Sequence, residues 1–322
     1  MKLNAMLFLA SSIITVANVQ AQSTWPAQPI KLVVGYSPGG PVDTTARTFA
    51  KYLGDELKQS VIVENRTGAS GMIAAESTFR AQPDGYTINF VASPTLTITP
   101  LIQKNTKIDL NEDFTYIGNI LNYTNVLVIN KDIPVKSVSE LVAYAKKNPN
   151  AVSFGSAGVG GSNHLSAELL KQKTGTEMLH VPYRGNSPAM IDVIGGKITF
   201  MFDITSTAIQ YIESGKVRAL AVTSRERNAG LPDVPTMIEA GVKDYEVTGW
   251  YALIGPKNLP ANIHERLETA LKNIAKNPEF IKSMEAGGYT INLTNGADLK
   301  AKVKREYAMW DDVIKKANIQ AN

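Results

Sequence analysis

The stretch IKLVVGYSPGGPVDTTARTFAKYLGDEL, residues 30–57, decides how the chain is read. Residues 30–34 are a short apolar run rich in β-branched side chains, the pattern of a buried strand. Residues 35–41 hold three glycines and two prolines and read as a loop. Ala46, Phe49, Ala50, Leu53 and Leu57 then recur at helical spacing and form one apolar stripe. A strand therefore passes through a glycine-rich loop into a helix N-terminus. The first N–H groups of such a helix have no acceptor within it, and the helix dipole adds partial positive charge there. Glycine lets the backbone approach a guest closely, so the loop suits a small anion, a carboxylate or a phosphate. An ordinary βα turn has the same local pattern, and the rest of the chain has to separate the two.

Working outward, the strand–loop–helix rhythm recurs. Residues 61–64, 87–92, 114–120 and 125–129 read as strands. A second glycine-bearing loop, NRTGASG, covers 65–71, and an alanine-rich helix covers 72–80. Ser137 is placed to cap a helix over 138–147. Then come a strand at 152–154, the loop GSAGVGG at 155–161, a helix at 162–173 and a strand at 178–181. The turn PYRG, a helix at 187–194, a strand at 198–202 ending at Asp203, a helix at 206–214 and a strand at 217–222 follow. Strands at 249–254 and 289–293 and amphipathic helices complete the chain. This alternation predicts two α/β blocks with parallel sheets, whose loops gather at the carboxyl ends of the strands.

The 322 residues include no cysteine, which excludes disulfides, thiolate metal sites and cysteine nucleophiles. The three histidines, His164, His180 and His264, form no HxH or HxxxH pair, so a zinc site is not expected. Residues 1–21 have the form of a secretory signal, with Lys2 ahead of an apolar stretch and Val19-Gln20-Ala21 at the cleavage positions. A soluble, exported protein of the bacterial periplasm is expected, a compartment in which ATP chemistry is improbable. The formal charge of +4 would become +3 with Lys2 removed. That mild, scattered charge argues against nucleic acid as a partner.

Residues 35–39, GYSPG, match the G-x-S-x-G nucleophile elbow of hydrolases. An exported serine hydrolase using Ser37 is thus an alternative reading, with Asp203 and His264 in suitable chain order. Pro38 opposes it, because the elbow's oxyanion hole needs an N–H on the residue after the serine. Residues 155–162, GSAGVGGS, nearly match a phosphate-binding loop, but Gly161 stands where its lysine belongs. The remaining cradle of N–H groups and hydroxyls suits a carboxylate. His164 reads as a capping or packed histidine, and Asp43 as favouring the first helix N-terminus. Asp203 reads as a holder of its neighbouring loop rather than a partner for a cationic group. Arg184 reads either as a carboxylate partner or as an ordinary exposed arginine.

Beyond the signal, the segments WPAQPIKLVVGYSPGGPVDTTAR, VIVENRTGASGMIAAE, QPDGYT, VSFGSAGVGGSNHLSAELL, LHVPYRGNSPAMIDVIGGKITFMFD, KVRALAVTS, LPDVPTMIEAG and GWYALIGP resemble, in order, the solute receptors of tripartite tricarboxylate transporters. This is the Bug, or TctC-like, family. The resemblance implies a periplasmic binding protein-like type II fold, two α/β domains with a hinge and an interdomain cleft. Domain 1 would take residues 22–124 plus 225–322, and domain 2 residues 125–224. It implies a monomer without cofactor that captures a small carboxylate, a di- or tricarboxylate or an aromatic acid, and delivers it to a membrane permease. A receptor that signals to a sensor is the other outlet. Carried over, Tyr36, Ser37, Gly39, Gly40, Pro41, Val42, Asp43 and Ser93 of domain 1 would bind ligand. Ser156, Ala157, Gly158, Ser162, Asn163, His164, Tyr183, Gly185 and Asp203 of domain 2 would oppose them. Residues 159–161 offer only backbone contacts, and Tyr36 is expected to shape the pocket for a flat or longer acid.

Overall fold

A computed structural model describes residues 25–103, 108–110, 112–149 and 151–317; the expected signal at 1–21 lies outside the described residues. The first βα unit forms as read. Strand β1 (Ile30–Val34) leads through the loop into α1 (Pro41–Leu57), with proline at its first position and Lys58 closing it in a left-handed conformation. The stripe residues Ala46, Phe49, Ala50, Leu53 and Leu57 are all buried. Next come β2 (Val61–Asn65), a 3-10 turn at Ala69–Gly71, α2 (Met72–Phe79), β3 (Thr87–Ala92), α3 (Ser93–Thr97) and α4 (Thr99–Ile102).

The strands expected at 114–120 and 125–129 are one strand, β4 (Phe114–Asn130). After it come α5 (Val138–Lys147), β5 (Ser153–Ser156), α6 (Ser162–Thr174), β6 (Leu179–Pro182), α7 (Asn186–Ile194), β7 (Phe200–Ile204), α8 (Thr205–Glu213) and β8 (Val217–Val222). The chain ends in β9 (Thr248–Pro256), α9 (Ala261–Ile274), α10 (Pro278–Ala286), β10 (Thr290–Ile291) and α11 (Gly296–Ala317). The strands are hydrogen-bonded in the order β2-β1-β3-β9-β4-β7-β5-β6, with β8 and β10 also on β4.

The expected parallel pairing holds for β1 with β2 and β3, and for β5 with β6 and β7. Around β4 it does not: β9, β10, β7 and β8 all run antiparallel to it. The reason is that β4 serves both blocks. Phe114–Thr124 pairs with β9, and Asn125–Asn130 pairs with β7 and β8. Its centre is therefore a crossing between blocks. The return crossing lies beside it, where the Thr223 hydroxyl donates to the Val247 carbonyl at 2.6 Å and accepts from the Asn125 N–H at 3.0 Å.

Each block has its own core. Phe49, Leu53, Phe90, Leu267 and Phe280 pack together in the first, and Leu127, Phe154, Phe200 and Phe202 in the second. Met237, Val242, Tyr245 and Val247 join the second cluster. Residues 237–247, expected with the first domain, thus pack these apolar side chains on the second core.

Candidate functional site

Four loops meet where the blocks face each other. From the first block come residues 35–40 after β1 and 66–71 after β2. From the second come residues 157–161 after β5 and 183–185 after β6. Between them lies a cavity of about 200 Å³, bounded at 35, 68–70 and 103 on one side and at 157–159 and 183–184 on the other.

The N-termini of α1 and α7 stand beside the facing loops. No side chain caps α1, α6, α7 or α8, whereas Ser137 and Asn277 cap α5 and α10. In α1 and α7 the first-turn N–H groups are thus left for a guest, whereas in α6 the His164 N–H is taken by Asn163 Oδ1. The N-termini of α1 and α7 approach one another: a Cβ on Gly40 would lie 3.5 Å from the Ser187 hydroxyl. Between them the Ser37 hydroxyl is buried and has no hydrogen-bond partner among the described residues. Gly185, at φ +138°, is required there, because a Cβ would sit 2.2 Å from Ser37 Oγ.

The loop after β2 is strained. Gly68, Ala69, Ser70 and Gly71 have φ of +129°, +50°, +50° and +90°. A left-handed non-glycine residue costs about 1–2 kcal/mol, so two in succession need support. The Ser70 carbonyl supplies it, accepting from the Tyr36 hydroxyl at 3.0 Å and from Thr95 Oγ1 at 2.9 Å. On the outer side, the Ser70 hydroxyl donates to the Val159 carbonyl across the cleft at 2.6 Å. Gly158 makes room for it, since a Cβ there would stand 2.7 Å from Ser70 Oγ. The Val159 side chain packs with Leu165, Ile98, Ile102 and Ile314, an apolar contact spanning both blocks. On the hinge side, Tyr289 Oη bonds Thr45 of α1 at 2.6 Å and also Ser206 of α8.

The structure divides the expected site residues into two groups. Ser37, Gly40, Ala157, Gly158, Tyr183 and Gly185 lie on the facing loops. Gly39 is on the first loop, but its N–H donates to Asp43. Pro41 and Val42 are buried in the first turn of α1. Ser93 opens α3 and accepts from the Trp250 N–H, while the Tyr123 hydroxyl on β4 lies beside Ser93 and Ser162.

The others are turned inward. Tyr36 is buried beneath the 68–71 loop, where burial pushes its hydroxyl up to about 12 against the bond to Thr95. It supports Ser70 instead of setting the pocket's shape directly. Asp43 spends both oxygens on protein, accepting from Gly39 N, Arg47 Nε and Asn65 Nδ2. Burial alone would raise its pKa, but these bonds and the Arg47 charge outweigh it and hold the carboxyl below its ordinary value.

Asp203 likewise accepts from Asn186, the Ile204 N–H and Thr207. Burial raises it to about 6 despite those bonds. It fastens the starts of α7 and α8, with both oxygens engaged by protein groups. Asn163 accepts from Ala157 N at 3.1 Å and shapes the cradle. Ser156 bonds His180 at 2.6 Å. His164 stacks on His180 with centroids 4.1 Å apart, and its Nδ1 accepts from the Gly160 N–H at 3.1 Å. Burial, then the neighbouring His180 and Lys171, lowers His164 to about 3, so it is a neutral prop for the loop.

Residues not anticipated as site residues are Gly68, Ala69, Ser70, Gln103 and Gly35, while Arg184, left open in the sequence as a carboxylate partner or an ordinary exposed arginine, also borders the cavity. The glycines of NRTGASG were the available signal for the first three. The hydrolase alternative finds no base: Ser37 Oγ is unpartnered, and His264 Nε2 lies 3.0 Å from the Tyr116 carbonyl.

A family model described as "Tripartite tricarboxylate transporter family receptor" matches residues 45–319. A protein encoded in the TAR-I ttuE-ttuC' intergenic region of Agrobacterium vitis is 38% identical over 301 residues, 92% of this chain and 87% of that one. Among solved structures, periplasmic binding protein BugD superposes with a TM-score of 0.89 at 35% identity, covering 92% of this chain and 100% of its own. An R. palustris protein solved with adipate gives a TM-score of 0.89 at 32% identity, covering 92% and 99%.

Proposed function

Because this chain belongs to the tripartite tricarboxylate transporter receptor family, we propose that it is a periplasmic receptor that closes on a small carboxylate and hands it to a membrane permease. Its fold is the type II periplasmic-binding-protein fold of its neighbours, two α/β domains about a hinge. The observation that carries the reading is the meeting of glycine-rich loops from both blocks around one cavity. One carboxylate would sit among the uncapped helix N-termini and the Ser37 hydroxyl. Hydrogen bonds to a charged group contribute about 1.5–3 kcal/mol each, so several can hold an anion without a cationic side chain.

A ligand shifts an open–closed equilibrium only by binding the closed form better. Contact with loops of both blocks supplies that difference, and the two crossings at β4 and Val247 are the hinge. We place the second domain at residues 125–247, with the chain returning at β9, because the apolar side chains before Thr248 pack on the second core. Export through the signal at residues 1–21 puts the receptor in the periplasm. The neighbour solved with adipate supports a carboxylate ligand.

The test is a thermal-shift screen of the protein lacking residues 1–21 against a panel of carboxylates, sugars and cations. A bound acid raises the melting temperature by mass action. A flat response to every acid, with stabilisation by sugars or cations, would contradict the reading.

A further inference from the structure

Among the residues bordering the cavity, Arg184 is the one that carries a charge. It follows Tyr183, whose hydroxyl is committed to Asp192 at 2.7 Å; Asp192 also pairs with Lys197 at 3.0 Å. Arg184 is exposed and has no ion pair or hydrogen bond among the described residues. No acidic side chain lines the cavity, and Asp203 has both oxygens engaged by Asn186, Ile204 and Thr207. The site therefore has two unlike ends. Past Gly185, next to Arg184 in the chain, lie the unpartnered Ser37 hydroxyl and the facing starts of α1 and α7, a place for one carboxylate. The mouth offers a guanidinium, whose planar fork suits a second carboxylate. The cavity holds no carboxylate to pair with an ammonium group. The volume of about 200 Å³ lies below the roughly 300–1,000 Å³ of most ligand pockets, which favours a compact guest.

We propose that Arg184 is the specificity residue of this cleft, pairing with the distal carboxylate of a compact aliphatic dicarboxylate that lacks an amino group. The proposal rests on the carboxylate-receptor reading and adds to it the class of acid and the residue that selects it. A monoanion would fill the inner cradle and leave Arg184 in water. An acidic amino acid would bring an ammonium group into a pocket without an acceptor of negative charge, a desolvation cost with no return.

Titration calorimetry with succinate, glutarate and adipate, each beside its monoamide, and with aspartate and glutamate, tests this. The diacid that binds best should exceed its monoamide and the amino acid of equal length by about tenfold or more, the ratio one charge-assisted contact carries. Arg184→Gln should lower diacid affinity by about that factor, leave the monoamide within about twofold, and abolish the salt dependence of the difference. Arg184→Lys should keep part of the preference. Arg184 is exposed, so folding does not depend on its side chain, and an unchanged melting temperature checks this. Equal binding of diacid and monoamide by the native protein would overturn the assignment while leaving the receptor reading intact. So would a preference that survives Arg184→Gln, or tighter binding of the amino acids. If none of these acids binds while another carboxylate of the thermal-shift panel does, the proposal falls and the receptor reading stands.

Discussion

Ser70→Ala tests how the cleft closes. The Ser70 hydroxyl is a side-chain donor of the first block bonded to the second block's Val159 carbonyl, at 2.6 Å. Removing it leaves Cβ and the left-handed backbone of the loop as they are, and the Ser70 carbonyl keeps its bonds to Tyr36 and Thr95. Only the link across the cleft is lost. A net hydrogen bond contributes about 0.5–1.5 kcal/mol. When the free protein is mostly open, the apparent dissociation constant scales inversely with the closed fraction. The variant should then bind the best acid of the panel about two- to twelvefold more weakly, at about 1.4 kcal/mol per tenfold. Titration calorimetry reads the affinity, and small-angle scattering of the liganded protein reads the compaction. Ser77→Ala is the control, because that hydroxyl bonds the Ala74 carbonyl within α2. An affinity within the error of the native protein would refute the closing role of this bond. A lower melting temperature with unchanged affinity would refute it too, since it would make Ser70 a brace of one block.

Two other outcomes follow from the same geometry. Gly185→Ala would place a Cβ 2.2 Å from Ser37 Oγ at φ +138°. At about 1–3 kcal/mol for such strain, binding should weaken about 5- to 140-fold, and scattering should show a more open average shape. Native-like affinity would mean that α1 and α7 need not approach so closely. The second concerns pH. His164 is lowered to about 3 in the folded protein, so its stability contribution is present above pH 6.5 and is lost as pH falls. Between pH 7 and 4.5 that loss is about 3 kcal/mol. Asp203, raised to about 6, acts oppositely: the folded form holds its proton more tightly and gains about 2 kcal/mol over the same fall. His180, lowered to about 4 by burial and then Lys171, adds to the loss. Denaturant midpoints should therefore drop on acidification. His164→Asn, whose Oδ1 can replace Nδ1 as acceptor for Gly160, should flatten the drop; an unaltered slope would refute the assignment.

The first βα unit was readable because its burial is local: β1 and the stripe of α1 alternate as their periods require. The continuity of β4 was not, because Asn122, Thr124 and Asn125 interrupt the apolar pattern. Its backbone bonds pass from β9 to β7 and β8 at that point, and ladder bonds do not depend on side-chain polarity. The NRTGASG loop announced itself by its glycines. Its left-handed run at Ala69 and Ser70 did not, since neither residue type asks for that conformation. Residue type and position read Asp43, Asp203 and His164 as helix-start, loop-holding and packed groups, and only the family resemblance made them ligand contacts; each is hydrogen-bonded inside its own block, as the residue reading had it.

The sequence by itself determined the α/β rhythm, the glycine-rich loops at the ends of strands, the absence of cysteine chemistry and the family. Those properties reside in spacing, in composition and in order along the chain. Tertiary structure alone decided that residues 68–70 stand against 157–159, that Ser37 lies under Gly185, and that Arg184 borders the cavity while His164 does not. Residues some 90 or 150 positions apart meet only because two crossings set the blocks face to face. Hydrophobic periodicity records which side of an element is buried and says nothing about which distant loop will cover its end.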